Sequence, residues 1–285
     1  MPLFRAYAKI NLGLRILEKR PDGYHNIETV FHRIDLFDEI ELSSSSTIKV
    51  VSTSDEVPGD ESNICHNAAR LLRNYLDISG GVCITINKKI PVGAGLGGGS
   101  SDAATVLRAL SAYWNQSIDE ASLRTLALQL GSDVPYFLGT GSALGRGRGE
   151  LLEFFSLDLP YFILLCNPNI HVSTSWAYSM AKPGNPAGEI SLKDILLKHK
   201  EYPPRLTELL KNDFEAAIFR EYPAIEEVKN EMLKHGACFA SMSGSGSSVF
   251  GFFESEAKAE EAAGRFRSQG YRTFLTKPGF VPSDF

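Results

Sequence analysis

Eleven residues, 91–101, constrain this chain more than any others: Pro-Val-Gly-Ala-Gly-Leu-Gly-Gly-Gly-Ser-Ser. Five glycines (Gly93, Gly95, Gly97, Gly98 and Gly99) fall within seven positions, and a helix-forming stretch begins straight afterwards at Asp102. Glycine admits positive φ and lets another group come close to the main chain. A helix starting at such a loop presents unpaired N–H groups and the positive end of its dipole. Together these features make an anion site suited to a di- or triphosphate. A flexible linker is the bland alternative, but linkers do not run from an apolar strand directly into an amphipathic helix.

The type of phosphate loop decides the chemistry. Gly93, Gly95 and Gly98 satisfy the dinucleotide pattern G-x-G-x-x-G. A dinucleotide fold also needs the first glycine right after a strand and a second parallel strand after the helix. Here Lys88-Lys89-Ile90-Pro91 separates the strand pattern at 82–87 from the glycines, and the following helix leads into another helical segment at 119–130. A Walker A loop fails because no Gly-Lys-Ser/Thr follows, and the protein-kinase signatures His-Arg-Asp and Asp-Phe-Gly are absent.

The 285 residues suit one large domain or two ordinary ones, and 43% hydrophobic with 22% charged content can build a substantial core. A net charge of −5 gives no general attraction to nucleic acid or anionic lipid, so neither partner is expected. Cys65, Cys83, Cys166 and Cys238 are scattered without a C-x-x-C, as in a reduced cytoplasmic protein. The N-terminal residues lack a signal peptide's apolar stretch, and no aliphatic run is long enough to span a membrane. The six histidines have no metal-ligand spacing, so metal ligands stay unassigned.

Strand character appears at 4–10, 15–17, 27–34, 39–42, 48–52 and 82–87, and helical spacing at 63–75, 101–114 and 118–130. Residues 139–150 are rich in glycine and read as turns between strands. A second unit begins at 162–166, and 181–205 reads as a peripheral loop with one short helix near 192–198. Beyond it the order is helix 224–235, strand 237–242, loop 243–247, strand 248–253, helix 255–269 and strand 271–276, a sandwich of ferredoxin-like type. The expectation is an α+β chain of two domains, 1–155 and 156–285.

Four further segments carry polar groups of chemical interest. Lys9 and Asn11 alternate with apolar residues and share a strand face. Tyr24 and His25 follow the tight turn Pro21-Asp22-Gly23. Asp133 precedes Val134-Pro135 at a helix start, where a carboxylate serves either as an N-cap or as an acceptor for a hydroxyl proton. Ser243-Gly244-Ser245-Gly246-Ser247 is a small-residue loop whose amides either close a hairpin or close over a phosphate.

Ala-Lys-Ile-Asn-Leu at 8–12, the glycine run at 91–101 and Ser-Gly-Ser-Gly at 243–246 resemble the three motifs of the GHMP small-molecule kinases. Asp22-Gly23-Tyr24-His25 and Gly131-Ser-Asp-Val-Pro-Tyr-Phe137 match the members that act on a cytidine-diphosphate-linked methylerythritol. The resemblance spans residue 8 to about 277. It implies an N-terminal domain like domain 2 of ribosomal protein S5 and a C-terminal ferredoxin-like domain, with the site in the cleft between them. It also implies ATP as phosphoryl donor with Mg²⁺, a 2-hydroxyl acceptor, a place in non-mevalonate isoprenoid synthesis, and a monomer or weak homodimer.

By the same resemblance Asp133 takes the catalytic-base position with Lys9 beside it. Pro91, Val92, Gly93, Ala94, Gly95, Leu96, Gly97, Gly98, Gly99, Ser100 and Ser101 would hold ATP, Ser101 also standing as a candidate Mg²⁺ ligand, and Asn63 would lie near adenine. Asn11 would position the acceptor's hydroxyls. Tyr24 and Tyr178 would sandwich cytosine, with Tyr178 preferred to Trp176 by its spacing from Thr174. His25 would bond the cytosine edge, and Thr174, Gly244, Ser245 and Gly246 would complete the substrate side. The alternatives are another acceptor of homoserine, sugar or mevalonate type, or a nucleotide-binding protein without activity.

Overall fold

Two long antiparallel strands organise the first half. The computed structural model describes residues 3–181, 183–184 and 190–283, and places β1 at Leu3–Lys19 and β2 at His25–Ser45. Sequence alternation had broken each into two shorter strands. The reason is visible in the pairing, which shifts register between Tyr7 and Lys9, between Asn11 and Leu14 and between Ile16 and Lys19. Each irregularity flips the alternation on which pattern reading depends.

β2 is the spine of a six-stranded sheet. β1 follows one of its edges, while β4 (Gly81–Asn87) and β5 (Ser142–Arg146) share the other. β3 (Ile48–Ser52) lies beyond β4, and β6 (Leu151–Phe155) beyond β5. Residues 142–146, read as turn, are therefore a strand. Ser142, Ala143, Leu144 and Gly145 are buried while Arg146 is exposed, and a Cβ on Gly145 would stand 2.7 Å from the Phe31 ring.

Four helices cover this sheet: α1 (Ile64–Tyr75), α2 (Gly98–Tyr113), α3 (Glu120–Leu130) and α4 (Val134–Leu138). Leu72, Leu107, Leu110 and Leu126 bury against Ile40, Ile84 and Ile86 of the strands. Asp119 caps α3 by accepting from the Ser122 N–H at 2.9 Å, as its sequence position implies. α2 begins at Gly98 and not at Ser101, so the last glycines of the run form its first turn.

The second half adds α5 (Thr174–Met180), α6 (Leu192–His199), α7 (Pro203–Leu209) and α8 (Glu215–Glu221). Of these only α6 was legible. Pro203 and Pro204, read as loop, instead occupy the first turn of α7, where a missing N–H costs nothing. Pro186 of the expected loop lies outside the described residues. β7 (Phe162–Asn167), β8 (Phe239–Met242), β9 (Val249–Phe253) and β10 (Arg272–Thr276) form an antiparallel sheet in the order β10-β7-β9-β8. With α9 (Pro223–Lys234) and α10 (Glu256–Ser268) this is the ferredoxin-like sandwich.

The change of sheet falls between Phe155 and Phe162. Ile10, Leu12 and Val30 of the first sheet and Ile163, Phe250 and Phe252 of the second belong to one buried cluster. That shared core fixes the two α+β units against each other.

Candidate active site

A cavity of about 530 Å³ lies where the units meet. Lys9, Asn11, Asp133 and the run from Pro91 to Ser100 line it from the first unit, and Thr174, Tyr178, Gly244 and Ser245 from the second.

The glycine run folds as an anion cradle. Gly97 is the N-cap of α2 in left-handed conformation (φ 68°) with no side-chain cap, so the amides of Gly98, Gly99 and Ser100 have no helical carbonyl to meet. A Cβ at Gly97 would come within 2.8 Å of the Phe137 ring and 3.1 Å of Lys9 Cε. At Gly95 (φ 77°) the intruding atom would be the Ser243 carbonyl oxygen, 2.0 Å away. These glycines let the loop backbone close on Lys9, Phe137 and Ser243.

Lys9 is buried on β1, beside the bulge at residue 8. Its ammonium donates to Asn11 Oδ1 (2.7 Å) and to the Gly95 carbonyl (3.1 Å), and stands 3.6 Å from Asp133 Oδ2. Burial lowers the Lys9 pKa from 10.5, an effect that Asp133 partly offsets. Asp133 sits at the N-cap of α4 but makes no capping hydrogen bond. Its backbone is helical (φ −83°, ψ −19°), not the extended form a capping side chain needs. The carboxylate is one-third exposed and faces Lys9 and the cavity.

Several of the expected ligand-binding side chains have partners within the protein. Ser101 is turned inward: its hydroxyl donates to the Tyr7 carbonyl at 2.7 Å and its N–H to Gly97. Its hydroxyl proton is therefore used within the protein, and the side chain lies off the cavity lining. Asn63 lines the cavity and caps α1, accepting from Cys65 N–H (2.8 Å) and donating to the Pro58 carbonyl (2.6 Å). Asn11 spends its amide on Lys9 and on Thr29 Oγ1 (2.9 Å), which makes it an orienter of Lys9 before anything else. Gly246 lies off the cavity lining and donates its N–H to Ser243.

At the acceptor end Tyr178 lines the cavity, whereas Trp176 packs edge-on against Tyr222 in the second unit's core. The rings of His25 and Tyr178 are parallel, 5.5 Å apart at 12°. Tyr24 is exposed and faces the Arg148 guanidinium at 5.0 Å. In the ligand-free site the ring facing Tyr178 is that of His25. Burial lowers the His25 pKa from 6.5, with the Lys19 charge adding to it. Thr174 and Ser245 share a hydroxyl contact of 3.0 Å.

Three features escaped the sequence reading. Ser243 is fully buried, accepts from the Asn11 N–H (3.2 Å) and donates to the Gly95 carbonyl (2.9 Å), joining the third motif to the first two. Arg148 reaches the cavity from the β5–β6 turn. Lys88, beneath the start of α2, bonds both Asp38 and Asp102 at 2.6 Å. Long-range folding brings Arg148 and Lys88 to the cavity and gives Ser243 of the third motif its partners, contacts that no local spacing announces.

Among the described residues, no three His, Cys, Asp or Glu side chains cluster as a metal site. Asp102 is engaged by Lys88 and Asp133 by Lys9. The donor set does not form a resident metal cage. No helix of the described residues is long and apolar enough to cross a membrane.

Comparison with known proteins places this geometry. Residues 63–141 match the family model described as GHMP kinases N terminal domain, and residues 199–272 that described as GHMP kinases C terminal. A 4-diphosphocytidyl-2-C-methyl-D-erythritol kinase of Chlorobium limicola (strain DSM 245 / NBRC 103803 / 6330) is 46% identical over 278 residues, 97% of this chain and 96% of that protein. A crystal structure of 4-(cytidine 5'-diphospho)-2C-methyl-D-erythritol kinase matches with TM-score 0.80 at 35% identity, covering 96% of this chain and 98% of its own. Homoserine kinase from Cytophaga hutchinsonii ATCC 33406, 19% identical with TM-score 0.72 over 95% of this chain and 94% of its own, shares the fold.

Proposed function

Because this chain belongs to the GHMP kinases, we propose that it transfers the γ-phosphoryl of ATP to the 2-hydroxyl of 4-diphosphocytidyl-2-C-methyl-D-erythritol, in non-mevalonate isoprenoid precursor synthesis. The observation that carries the reading is the Lys9–Asp133 pair, 3.6 Å apart, beside the Gly95 carbonyl of the anion cradle. A base next to a phosphate loop is the arrangement phosphoryl transfer to an alcohol needs.

The amides of Gly98, Gly99 and Ser100 bind the triphosphate, aided by the α2 dipole. Asp133 accepts the proton of the acceptor hydroxyl as its oxygen bonds to the γ-phosphorus and the β,γ-bridging P–O bond breaks. Lys9 keeps Asp133 ionised and offsets charge that develops on the transferring group. Its three donors are directed by Asn11, Gly95 and Asp133. Mg²⁺ enters with ATP, held by the nucleotide phosphates.

The acceptor's cytosine stacks on Tyr178. A neutral His25 has one donor and one acceptor nitrogen, matching the base edge. Binding moves the His25 ring off the Tyr178 face that it covers in the ligand-free site. Homoserine or mevalonate would use none of this aromatic pair. The acceptor is a small molecule met in the cytoplasm, in keeping with four free cysteines, and neither nucleic acid nor membrane takes part. The protein acts as a monomer or weak homodimer. ADP release on a panel of alcohols tests the assignment: only the diphosphocytidyl compound should support turnover, and equal turnover with homoserine or mevalonate would refute it.

A further inference from the structure

The five-residue helix α4, whose N-cap is Asp133, is held at both of its ends by one rung of the β1–β2 ladder. Lys9 and Arg33 are directly opposed residues of that ladder. Lys9 reaches Asp133 at the start of α4. Arg33 reaches the other end, its Nη2 donating to the carbonyls of Phe137 and Gly139, both at 2.8 Å. Arg108 of α2 donates to the intervening Leu138 carbonyl.

We propose that Arg33, assisted by Arg108, is a positioning residue for the base Asp133 and sets its distance from Lys9. The proposal rests on the reading of Asp133 as base.

A helix this short has almost no internal hydrogen bonding to hold its own axis. Its last carbonyls lack helical donors, and without partners they would be free to tilt. Two guanidiniums fix three successive carbonyls, 137–139, and complement the negative end of the helix. The Arg33 guanidinium also lies over the rings of Tyr136 (5.5 Å) and Phe137 (5.9 Å), which restrains rotation of the helix about its axis. Phe137 in turn lies under Gly97 of the cradle. A shift of α4 would therefore displace Asp133 from Lys9 and from the bound phosphate together. Arg33 itself lies off the cavity lining.

The test is a double-mutant cycle on the full chain, using ATP and 4-diphosphocytidyl-2-C-methyl-D-erythritol. Arg33→Met should lower kcat by about 10- to 100-fold, since displacement of about 1 Å costs that much. KM for ATP should stay within about twofold, and Arg33→Lys should recover part of kcat. In an Asp133→Asn background, Arg33→Met should cause no further loss, because the group it positions is already gone. If Arg33→Met does not fold, Arg108→Met is read in the same cycle. Equal losses in both backgrounds, or an unchanged kcat in folded Arg33→Met, would overturn the proposal while leaving Asp133 as base. Full activity of Asp133→Asn alone would overturn both.

Discussion

The Ser243 hydroxyl donates to the Gly95 carbonyl at 2.9 Å, a single hydrogen bond that joins the last motif of the chain to the middle of the phosphate loop. The same oxygen accepts from the Asn11 N–H, and the same carbonyl accepts from Lys9. Base-side lysine, phosphate loop and second unit therefore meet at one peptide. Gly95 adopts a φ of 77° that leaves no room for a side chain there.

Ser243→Ala should raise the KM for ATP several-fold and cost about 1–3 kcal/mol of stability, because the Asn11 N–H loses its partner in a buried place. Urea denaturation and steady-state kinetics check it. A variant with unchanged ATP KM would show that the loop holds its shape without the tie.

Lys9 sets the alkaline limit. Burial lowers its pKa below the ordinary 10.5, so the charge beside Asp133 is lost at a lower pH than for an exposed lysine. The log kcat–pH profile should fall on the alkaline side before pH 10.5. Lys9→Arg, which retains its proton, should remove that limb at the expense of a lower plateau.

The Lys88 cluster governs stability. Burial, reinforced by Asp38, raises the Asp102 pKa from its usual value, so the folded state retains a proton that the unfolded chain releases. Stability should then fall as pH rises from the ordinary carboxylate range until Asp102 is ionised in both states. Asp102→Asn should fold and lose that part of the dependence. Lys88→Met leaves buried Asp38 and Asp102 without their shared cation and should cost about 3–5 kcal/mol. Denaturation curves across pH separate the two.

Tyr178→Ala should raise the KM for the cytidine acceptor by tenfold or so, with ATP KM unaffected, as loss of base stacking implies. Trp176→Ala should instead lower the melting temperature, since that ring packs in the second unit's core. His25 is neutral at pH 7, its pKa being lowered by burial. The acid-side rise in acceptor KM should therefore come at a lower pH than an ordinary histidine would give, and kinetics at each pH settle both points.

The motifs were legible because each is local. Glycine spacing announced the cradle, and Asp133 before Val-Pro announced a helix start. What long-range contact decides was not legible. Asn63 and Ser101 carry polar side chains at the expected places, yet both are consumed by backbone groups, Ser101 by Tyr7 from ninety-four residues away. The stacking of His25 on Tyr178 joins residues more than 150 positions apart, which no local spacing announces. β5 hid behind its glycines because its burial against Phe31 comes from a strand more than a hundred residues earlier.

The central claim is that Asp133, held by Lys9 beside the cradle, is the base for phosphoryl transfer to the diphosphocytidyl alcohol. It is tested most directly by single-turnover ADP formation from ATP and 4-diphosphocytidyl-2-C-methyl-D-erythritol, comparing the wild-type protein with Asp133→Asn. The wild type should form ADP only when the acceptor is present. The variant should bind ATP equally well and turn over about 10²–10⁴-fold more slowly. Acceptor-dependent ADP formation by Asp133→Asn at the wild-type rate would contradict the account.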